Sequence, residues 1–198
     1  GRRILVVGGT PLYLRCLRDG LDDFAPVNHA LRHTLNDELN RIGPEAFHKK
    51  LGQSRPDLAA TIHPNDSKRI IRALEITQTA GTNHKRSWTP ADDSKTQLFP
   101  CPILVIDHPR TILNSQINQR VEAMFESGII EETEAAEKHY GIGTTAAQAA
   151  GYKESLAFIR GEITKQEAIS KTKQRTRQLA KRQRTWFRSF PDAVWLSA

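Results

Sequence analysis

The sequence predicts an α/β fold that is mostly helical, with a parallel sheet core interrupted by a small all-helical insertion. Two apolar runs, residues 4–7 and 103–106, are the strand candidates. Both are continuous rather than alternating, which is typical of parallel strands buried on both faces. Two strands alone would leave backbone groups unpaired, so we expect the chain to be the C-terminal part of a larger α/β domain. The alternative is that both runs are short buried helical segments.

Composition predicts an ordinary globular protein of one or two domains. The 198 residues are 38% hydrophobic and 26% charged, and the net charge is +7. No apolar run is long enough for a transmembrane helix, so we expect no membrane partner. Cys16 and Cys101 are far apart in sequence, which favours neither a disulfide scaffold nor a zinc site. A reducing cytoplasm fits this pattern.

The first predicted strand leads into a strand–turn–helix unit. Small residues at positions 8–10 follow the strand, Pro11 opens a helix that runs to Asp19, and Gly20 ends it. Ligands of parallel sheets usually bind at this carboxyl end of the strands.

The remaining pattern is helical apart from the second strand. Segments 27–41, 44–51, 56–61 and 67–79 form the predicted insertion, with Asn65 or Asp66 as a helix cap, Gly81 as a helix end and a loop over 82–97. After the second strand we expect helices over 111–127 (ended by Gly128), from 131, over 146–160 and over 171–188, with a glycine-rich loop at 140–145. The predicted domains are residues 1–24 with 98–198, the α/β core, and residues 25–97, the helical insertion.

The last helix carries the strongest functional signal. Residues 171–188 contain eight basic side chains and no acid. At 100° per residue, one side collects the packing residues Ile169, Thr172, Thr176, Leu179, Ala180, Gln183 and Phe187. A basic stripe lies opposite, formed by Arg177, Lys181, Arg184 and Arg188 with Lys171, Arg175 and Arg182 beside it. Like charges at this spacing repel, so the stripe predicts a phosphate-binding helix rather than a merely solvated one.

Common catalytic motifs are absent from the sequence. There is no GxxxxGK[ST], GxSxG or HExxH, and residues 141–146 lack the third glycine of a dinucleotide fingerprint. His29 and His33 have helical metal-pair spacing but no evident third ligand, so no metal site is predicted. By motifs alone, the residues describe a binding surface rather than a catalytic centre.

Several strings, in order, resemble the tRNA dimethylallyltransferases, the tRNA prenyltransferases of the isopentenyl-transfer type. They are residues 8–14 (GGTPLYL), 63–66 (HPND), 69–75 (RIIRALE), 120–128 (RVEAMFESG), 151–154 (GYKE), 176–183 (TRQLAKRQ) and 185–188 (TWFR). Each string is weak alone, but their order along nearly the whole chain is specific. The sequence departs from the family pattern at Pro11, Gln116 and Glu122. None of the three is among the RNA contacts that the resemblance implies.

The resemblance implies a partial P-loop-type core and a reaction. Family members transfer a dimethylallyl group from dimethylallyl diphosphate to N6 of the adenine beside the anticodon, position 37, giving N6-isopentenyladenosine. Their P-loop, which holds the diphosphate, and their general-base Asp precede the strings matched here. We therefore expect this chain alone to be inactive, with Mg²⁺ serving the complete enzyme and Arg177 as a candidate diphosphate contact.

The resemblance also implies an RNA surface and a partner, the tRNA anticodon stem-loop, bound by a monomeric enzyme. Thr10 would lie at the mouth of the substrate channel. The implied contacts are Thr10, Arg32, Lys68, Arg69, Ile70, Ile71, Arg72, Gln148, Ala149, Ala150, Gly151, Tyr152, Lys153, Lys181, Arg182, Gln183, Arg184, Thr185, Trp186, Phe187 and Arg188.

Some implied contacts have ordinary structural alternatives. Thr10 could cap a helix, Arg32 could be solvated, and Arg69 could bridge helices. Tyr152 and Trp186 could be core aromatics.

Two other functions stay open at this point. One is a noncatalytic RNA-binding module, and the other is an enzyme that prenylates free adenine nucleotides, as in cytokinin synthesis. The helical insertion favours tRNA, because a free nucleotide needs no clamp.

Overall fold

The computed structural model describes residues 4–20, 27–80, 99 and 101–198. Two compact units divide the chain, one formed by Gly1–Asp19 with Gln97–Ala198 and the other by Gly20–Thr96. The elements are α1 (Pro11–Asp19), α2 (His29–Ile42), α3 (Pro44–Ser54), α4 (Pro56–Ala59), α5 (Ser67–Ala80), β1 (Leu104–Asp107), α6 (Arg110–Glu126), α7 (Ile129–Tyr140), a short 3₁₀ helix (Ala146–Gln148), α8 (Tyr152–Ile159), α9 (Lys165–Phe187) and β2 (Val194–Ser197).

The sheet is parallel, as predicted, but its partner strand is not the predicted one. β1 pairs with β2, with Leu104 opposite Val194 and Asp107 opposite Ser197. The apolar run 4–7 forms no strand, because no described residue pairs with its backbone, and its side chains are exposed. β2 was not predicted, because it is a four-residue strand whose pairing depends on a segment about ninety positions away.

Burial of the sheet is one-sided rather than two-sided. Val105 is buried, whereas Leu104 is 57% and Ile106 67% exposed. On the covered face, Val105 packs with Ile103 and Phe190. The prediction that the strands are buried on both faces is therefore wrong for the described residues.

The second unit is a helical cluster. α2, α3, α4 and α5 enclose a core that consists of Leu35, Phe47, Leu51, Leu58, Ile62, Ile70, Ile71, Ala73 and Leu74. Asp66, rather than Asn65, caps α5, since its Oδ1 accepts the Arg69 N–H at 3.2 Å. The predicted helix end at Gly81 and loop over 82–97 lie outside the described residues.

In the first unit, α6, α7, α8 and α9 form a second core. Its buried members are Ile117, Val121, Phe125, Ile129, Ile130 and Ala168. α9 begins at a capping box, in which Thr164 Oγ1 accepts the Glu167 N–H at 3.2 Å and Glu167 Oε2 accepts the Thr164 N–H at 2.8 Å. The predicted helix over 146–160 is interrupted before α8, because Gly151 has φ of +98°, which helical residues do not adopt.

The helix α1 is fastened to the turn that follows α9. Arg18 is 6% exposed and donates to both oxygens of Asp192 at 2.9 and 3.0 Å, and to Asp19 at 2.7 Å. Arg15 donates to Ser189 Oγ at 2.8 Å, and both guanidinium groups lie over the Phe190 ring, 5.2 Å (Arg15) and 5.0 Å (Arg18) from its centroid. These contacts place the turn before α1 beside the C-terminal half of α9.

Candidate nucleic-acid interface

One side of α9 packs into the first unit through small and hydroxyl side chains. Ala168 and Thr172 are fully covered, and Ile169 and Ala180 pack beside them. The buried Thr172 hydroxyl donates to the Ala168 carbonyl at 2.8 Å, so its burial leaves no unsatisfied polar group. Leu179 is 46% exposed, so the side of α9 that packs contains fewer residues than the sequence predicted.

Four polar contacts hold basic residues of α9 against the protein. Lys173 pairs with Glu122, Arg175 with Glu154 at 3.2 Å and Arg184 with Asp107 at 2.7 Å. Arg177 donates to Asn118 Oδ1 at 2.6 Å. The predicted open stripe is therefore wrong at Arg177 and Arg184, whose positions on the flank of the helix bring them against α6 and the end of β1.

Other basic residues of the helix, and Arg188 at its C-cap, remain open to solvent. Lys171, Lys181, Arg182 and Arg188 are exposed, and none forms an ion pair within the part of the chain that the structure describes. Lys181, Arg182 and Arg188 lie within two turns of one another at the C-terminal end. Uncompensated cations this close attract a polyanion and repel each other in its absence.

The turn before α1 borders this basic end. Gln183 Nε2 donates to the Gly9 carbonyl at 2.7 Å, and the exposed Thr10 follows. The Thr10 carbonyl accepts the N–H groups of Tyr13 at 3.0 Å and Leu14 at 3.3 Å, so the Thr10 backbone begins the helix and its side chain stays open. The structure thus brings together Thr10 and Gln183, two predicted contacts that are 173 positions apart.

Two residues of this region were not singled out from the sequence. Asp107 ends β1, at the edge where parallel sheets bind ligands, and that position was the available signal for it. Asn118 lies within α6 and carried no sequence signal that distinguished it. Asp107 holds the guanidinium group of Arg184 in place, and Asn118 holds that of Arg177.

The predicted contact segment 148–153 is fixed by a buried carboxylate. Glu154, 6% exposed, accepts the Gly151 N–H at 2.9 Å through Oε2 and the Arg175 guanidinium at 3.2 Å through Oε1. Tyr152 donates its hydroxyl to Glu132, and this hydrogen bond raises the pKa of Tyr152. Gln148, Ala149 and Lys153 are exposed in the same segment, Ala150 is half-buried and Gly151 is buried.

The aromatic pair at the end of α9 is divided between surface and core. Trp186 is 36% exposed, whereas Phe187 packs beside the buried Phe190. Thr185, which precedes Trp186, is exposed, and its hydroxyl donates to the Lys181 carbonyl at 3.1 Å. Of the two aromatics, Trp186 presents the ring surface that a nucleobase could stack on.

In the second unit, the predicted contacts on α5 differ in exposure. Lys68 is exposed, and Arg69 pairs at 3.3 Å with Asp66, the cap of its own helix, rather than bridging to another helix. Ile70 and Ile71 belong to the core, with 0% and 7% exposure, so their side chains do not face a partner. That part of the prediction is wrong, because 68–72 is one turn and a half of helix and only part of a helix reaches solvent.

Arg32 and Arg72 share a carboxylate in the second unit. Glu75 is 1% exposed, and its Oε2 accepts from Arg32 Nη2 at 2.6 Å and from Arg72 Nη1 at 2.9 Å. Its Oε1 accepts the Asn28 N–H at 2.9 Å. Burial works against the charged form of Glu75, but these donors outweigh it and hold its pKa below the usual range.

No metal cluster and no membrane-spanning helix occur among the described residues. Residues 4–20, 27–80, 99 and 101–198 contain no group of three His, Cys, Asp or Glu that could hold a metal ion. Within the same residues, no helix is both long and apolar enough to cross a membrane.

Comparison with known sequences gives one consistent family. A family model described as IPP transferase matches residues 1–190. The tRNA dimethylallyltransferase of Exiguobacterium sp. is 39% identical over 200 residues, covering 99% of this chain and 61% of the relative. That of Desulforamulus reducens is 37% identical over 198 residues, covering 99% of this chain and 69% of the relative.

Two solved structures are similar over almost all of the chain. The full-length tRNA isopentenylpyrophosphate transferase from Bacillus halodurans superposes with a TM-score of 0.57 at 32% identity, covering 94% of this chain and 57% of that one. A eukaryotic dimethylallyltransferase acting on tRNA gives a TM-score of 0.70 at 27% identity, covering 96% and 50%. The chain thus spans between half and about two thirds of the length of these proteins.

Proposed function

The chain belongs to the IPP transferase family, and on that premise we propose that it is the tRNA-binding part of a tRNA dimethylallyltransferase. The complete enzyme would transfer a dimethylallyl group from dimethylallyl diphosphate to N6 of the adenine at position 37 and produce N6-isopentenyladenosine. We assign binding of the anticodon stem-loop to the residues described above, in a cytoplasmic monomer. We assign no transfer activity to this chain alone, since its sequence carries no phosphate-binding P-loop.

The observation that carries the proposal is the division of basic residues on α9. Carboxylates of the protein pair with Lys173, Arg175 and Arg184, whereas the exposed Lys181 and Arg188 have no such partner among the described residues. Lys181 and Arg188 are separated by about 10 Å along the helix axis, at 1.5 Å per residue. This surface gives a nucleic-acid backbone at least two separate phosphate contacts without any competing internal carboxylate.

The target adenine must leave its stack before its N6 group can react. Unstacking costs a few kcal/mol, which contacts to the rest of the loop offset. Trp186 borders the basic residues and is partly exposed. Stacking of a base on such a ring stabilises a complex by about 1–3 kcal/mol. We therefore assign to Trp186 a base-stacking role beside the phosphate contacts.

Departure of diphosphate concentrates negative charge, and preorganised cations lower the barrier to it. Arg177 is suited to this role because Asn118 accepts from its Nη1 without neutralising its charge. Arg184 is less suited, since Asp107 already compensates it. Arg177 is therefore the residue of α9 to which we assign a diphosphate contact.

The test is binding of an anticodon stem-loop to two charge-matched double variants of the full-length protein. The first is Lys181→Glu with Arg188→Glu, and the control is Lys165→Glu with Lys171→Glu, at exposed positions in the first half of the same helix. Both change the net charge by the same amount. We expect the Kd of the first variant to rise about 100-fold or more, and that of the control about fivefold or less, because salt screens distant charges.

Salt dependence gives a second readout of the same surface. For the wild type we expect log K to fall with log salt with a slope of about −3 to −5, which corresponds to four to seven phosphate contacts. The Lys181→Glu, Arg188→Glu variant should lose about 1.4 from the magnitude of this slope. Equal losses in both variants, or a wild-type affinity that does not change with salt, would contradict the assignment. An enzyme acting on free nucleotides would show no dependence on either pair.

A further inference from the structure

The turn formed by residues 8–10 has little support from the chain on either side of it. Residues 4–7 before it are exposed and form no strand. The helix α1 after it is fastened at Arg15 and Arg18, which lie about 8–12 Å beyond Thr10 along the helix axis, at 1.5 Å per residue. The turn therefore needs a contact of its own to keep a fixed position.

Gln183 supplies that contact from α9. Its Nε2 donates to the Gly9 carbonyl at 2.7 Å, and no other hydrogen bond joins residues 8–10 to α9 within the described parts of the chain. Gln183 is half-buried, whereas Lys181 and Arg182 just before it are exposed. The amide nitrogen of Gln183 is thus engaged with the protein, although the family resemblance grouped this residue with the RNA contacts.

Gly9 permits the hydrogen bond because it has no side chain. A Cβ atom at Gly9 would lie 2.5 Å from Gln183 Nε2, whereas a Cβ atom at Gly8 would meet no other atom within 4 Å. Neither glycine has a positive φ, so an alanine at either position is free of backbone strain. The need for glycine at position 9 therefore comes from the close approach of Gln183.

This contact couples Thr10 to the basic end of α9. Thr10 follows Gly9 directly and its side chain is open, and the exposed Lys181 and Arg182 precede Gln183. The helix α9 is held in the first unit by its own packing through Ala168, Ile169 and Ala180. Loss of the hydrogen bond should therefore release Thr10 and leave the cations of α9 where they are.

We propose that Gln183 is a positioning residue, which holds Gly9 so that Thr10 and the exposed cations of α9 meet the same RNA strand. This inference rests on the proposed function and gives Gln183 an indirect role in it. A group that is fixed before binding does not have to be ordered during binding, so the hydrogen bond removes that cost from the binding step.

The first experiment measures binding of a labelled anticodon stem-loop to full-length variants that circular dichroism shows to be folded. Gln183→Met removes the donor but keeps an uncharged side chain of similar length, and Gln174→Met, at an exposed position of the same helix, is the control. We expect the Kd to rise about fivefold for Gln183→Met, the effect of about one neutral hydrogen bond, and less than about twofold for the control. The salt slope should equal that of the wild type, because no phosphate contact is lost.

Gly9→Ala breaks the same hydrogen bond from the other side. The clash is with the end of a flexible side chain, so Gln183 can move away and the fold persists. We expect a Kd within about twofold of that of Gln183→Met, and no further rise when the two substitutions are combined. Gly8→Ala is the matched control and should bind like the wild type.

Thr10→Val tests whether Gln183 acts through Thr10. The substitution removes the hydroxyl group and keeps the shape of the side chain. If Gln183 positions Thr10, the Thr10→Val protein binds more weakly than the wild type, and adding Gln183→Met weakens binding no further. If Gln183 itself touched the RNA, the two effects would multiply.

The outcomes separate this inference from the function on which it depends. Unchanged binding by Gln183→Met or by Thr10→Val, multiplicative effects in the double variant, or an altered salt slope overturns the positioning role, while the result for Lys181 and Arg188 still decides the RNA function. A wild type without salt-dependent binding of the stem-loop overturns both. Equal, non-multiplicative losses in Gln183→Met and Gly9→Ala, with unaffected controls, support the proposal.

Discussion

Replacement of Gly151 by Ala should destabilise the first unit more than replacement of Gly161 by Ala. Gly151 has φ of +98° and ψ of −56°, and this conformation costs a residue with a side chain about 1–3 kcal/mol. A Cβ atom there would lie 2.7 Å from Ile129 Cδ1 and 3.2 Å from Met124 Cε. Overpacking of this kind costs about 1–3 kcal/mol. Together the two effects lower the unfolding free energy by about 2–6 kcal/mol.

Gly161→Ala is the matched control for this substitution. Gly161 also has a positive φ, +73°, but a Cβ atom would meet no other atom within 4 Å. Only the backbone cost applies there, which for a left-handed residue is about 1–2 kcal/mol. The difference between the two variants therefore reports the steric contact of Gly151 with Ile129 and Met124.

Urea unfolding followed by tryptophan fluorescence measures both values, since Trp186 and Trp195 belong to the first unit. We expect a lower midpoint for Gly151→Ala than for Gly161→Ala, with similar slopes. Equal midpoints would refute the packing argument, and a stabilised Gly151→Ala would also refute the strained backbone. The variant should in addition displace the Gly151 N–H from Glu154, and with it the segment 148–153.

Two further predictions concern buried charges. Arg18→Met should lower the unfolding free energy by about 1–3 kcal/mol, because it removes charge-assisted hydrogen bonds to the partly exposed Asp192. Thermal unfolding measures it, and an unchanged melting temperature would show that α1 is held by apolar contacts alone. Glu75 should make stability depend on pH: its pKa is lowered in the folded state, so its contribution is complete above the ordinary value of 4.5 and is lost as the pH falls through the folded pKa. The stability difference between wild type and Glu75→Gln should therefore shrink between pH 7 and pH 3, and a constant difference would contradict the sign.

Helices were predictable from the sequence because their signals are local. Caps, prolines and glycines near the helix ends placed α1, α2, α5 and α6 with small errors at the ends, whereas α9 begins six residues before its predicted start. Strands were less predictable, since hydrogen bonds to a distant segment decide whether a run becomes a strand. The apolar run 4–7 has no such partner among the described residues, whereas 194–197 has one in β1.

The candidate site was predictable in outline but not in its charge balance. The basic composition of α9 was visible in the sequence, and the family resemblance grouped Thr10 with residues of the C-terminal helix as implied RNA contacts. Which cations stay open depends on Glu122, Glu154, Asp107 and Asn118, which lie 21 to 77 positions from the α9 residues that they contact. No periodicity within α9 could reveal them.

The pairing of β1 with β2 has a consequence for how the chain reaches its native state. Ile103 and Val194, whose backbones are joined at 2.9 Å, are 91 positions apart, and α6 to α9 must be formed between them. Loop-closure entropy makes such a distant pairing slow, whereas the second unit is formed from one continuous stretch, Gly20–Thr96. On a ribosome, the helical unit can settle while the remainder is still being translated, but the first unit must wait for its final strand. Until then Ile103 and Val105 remain uncovered, which makes this interval the one most prone to misassembly.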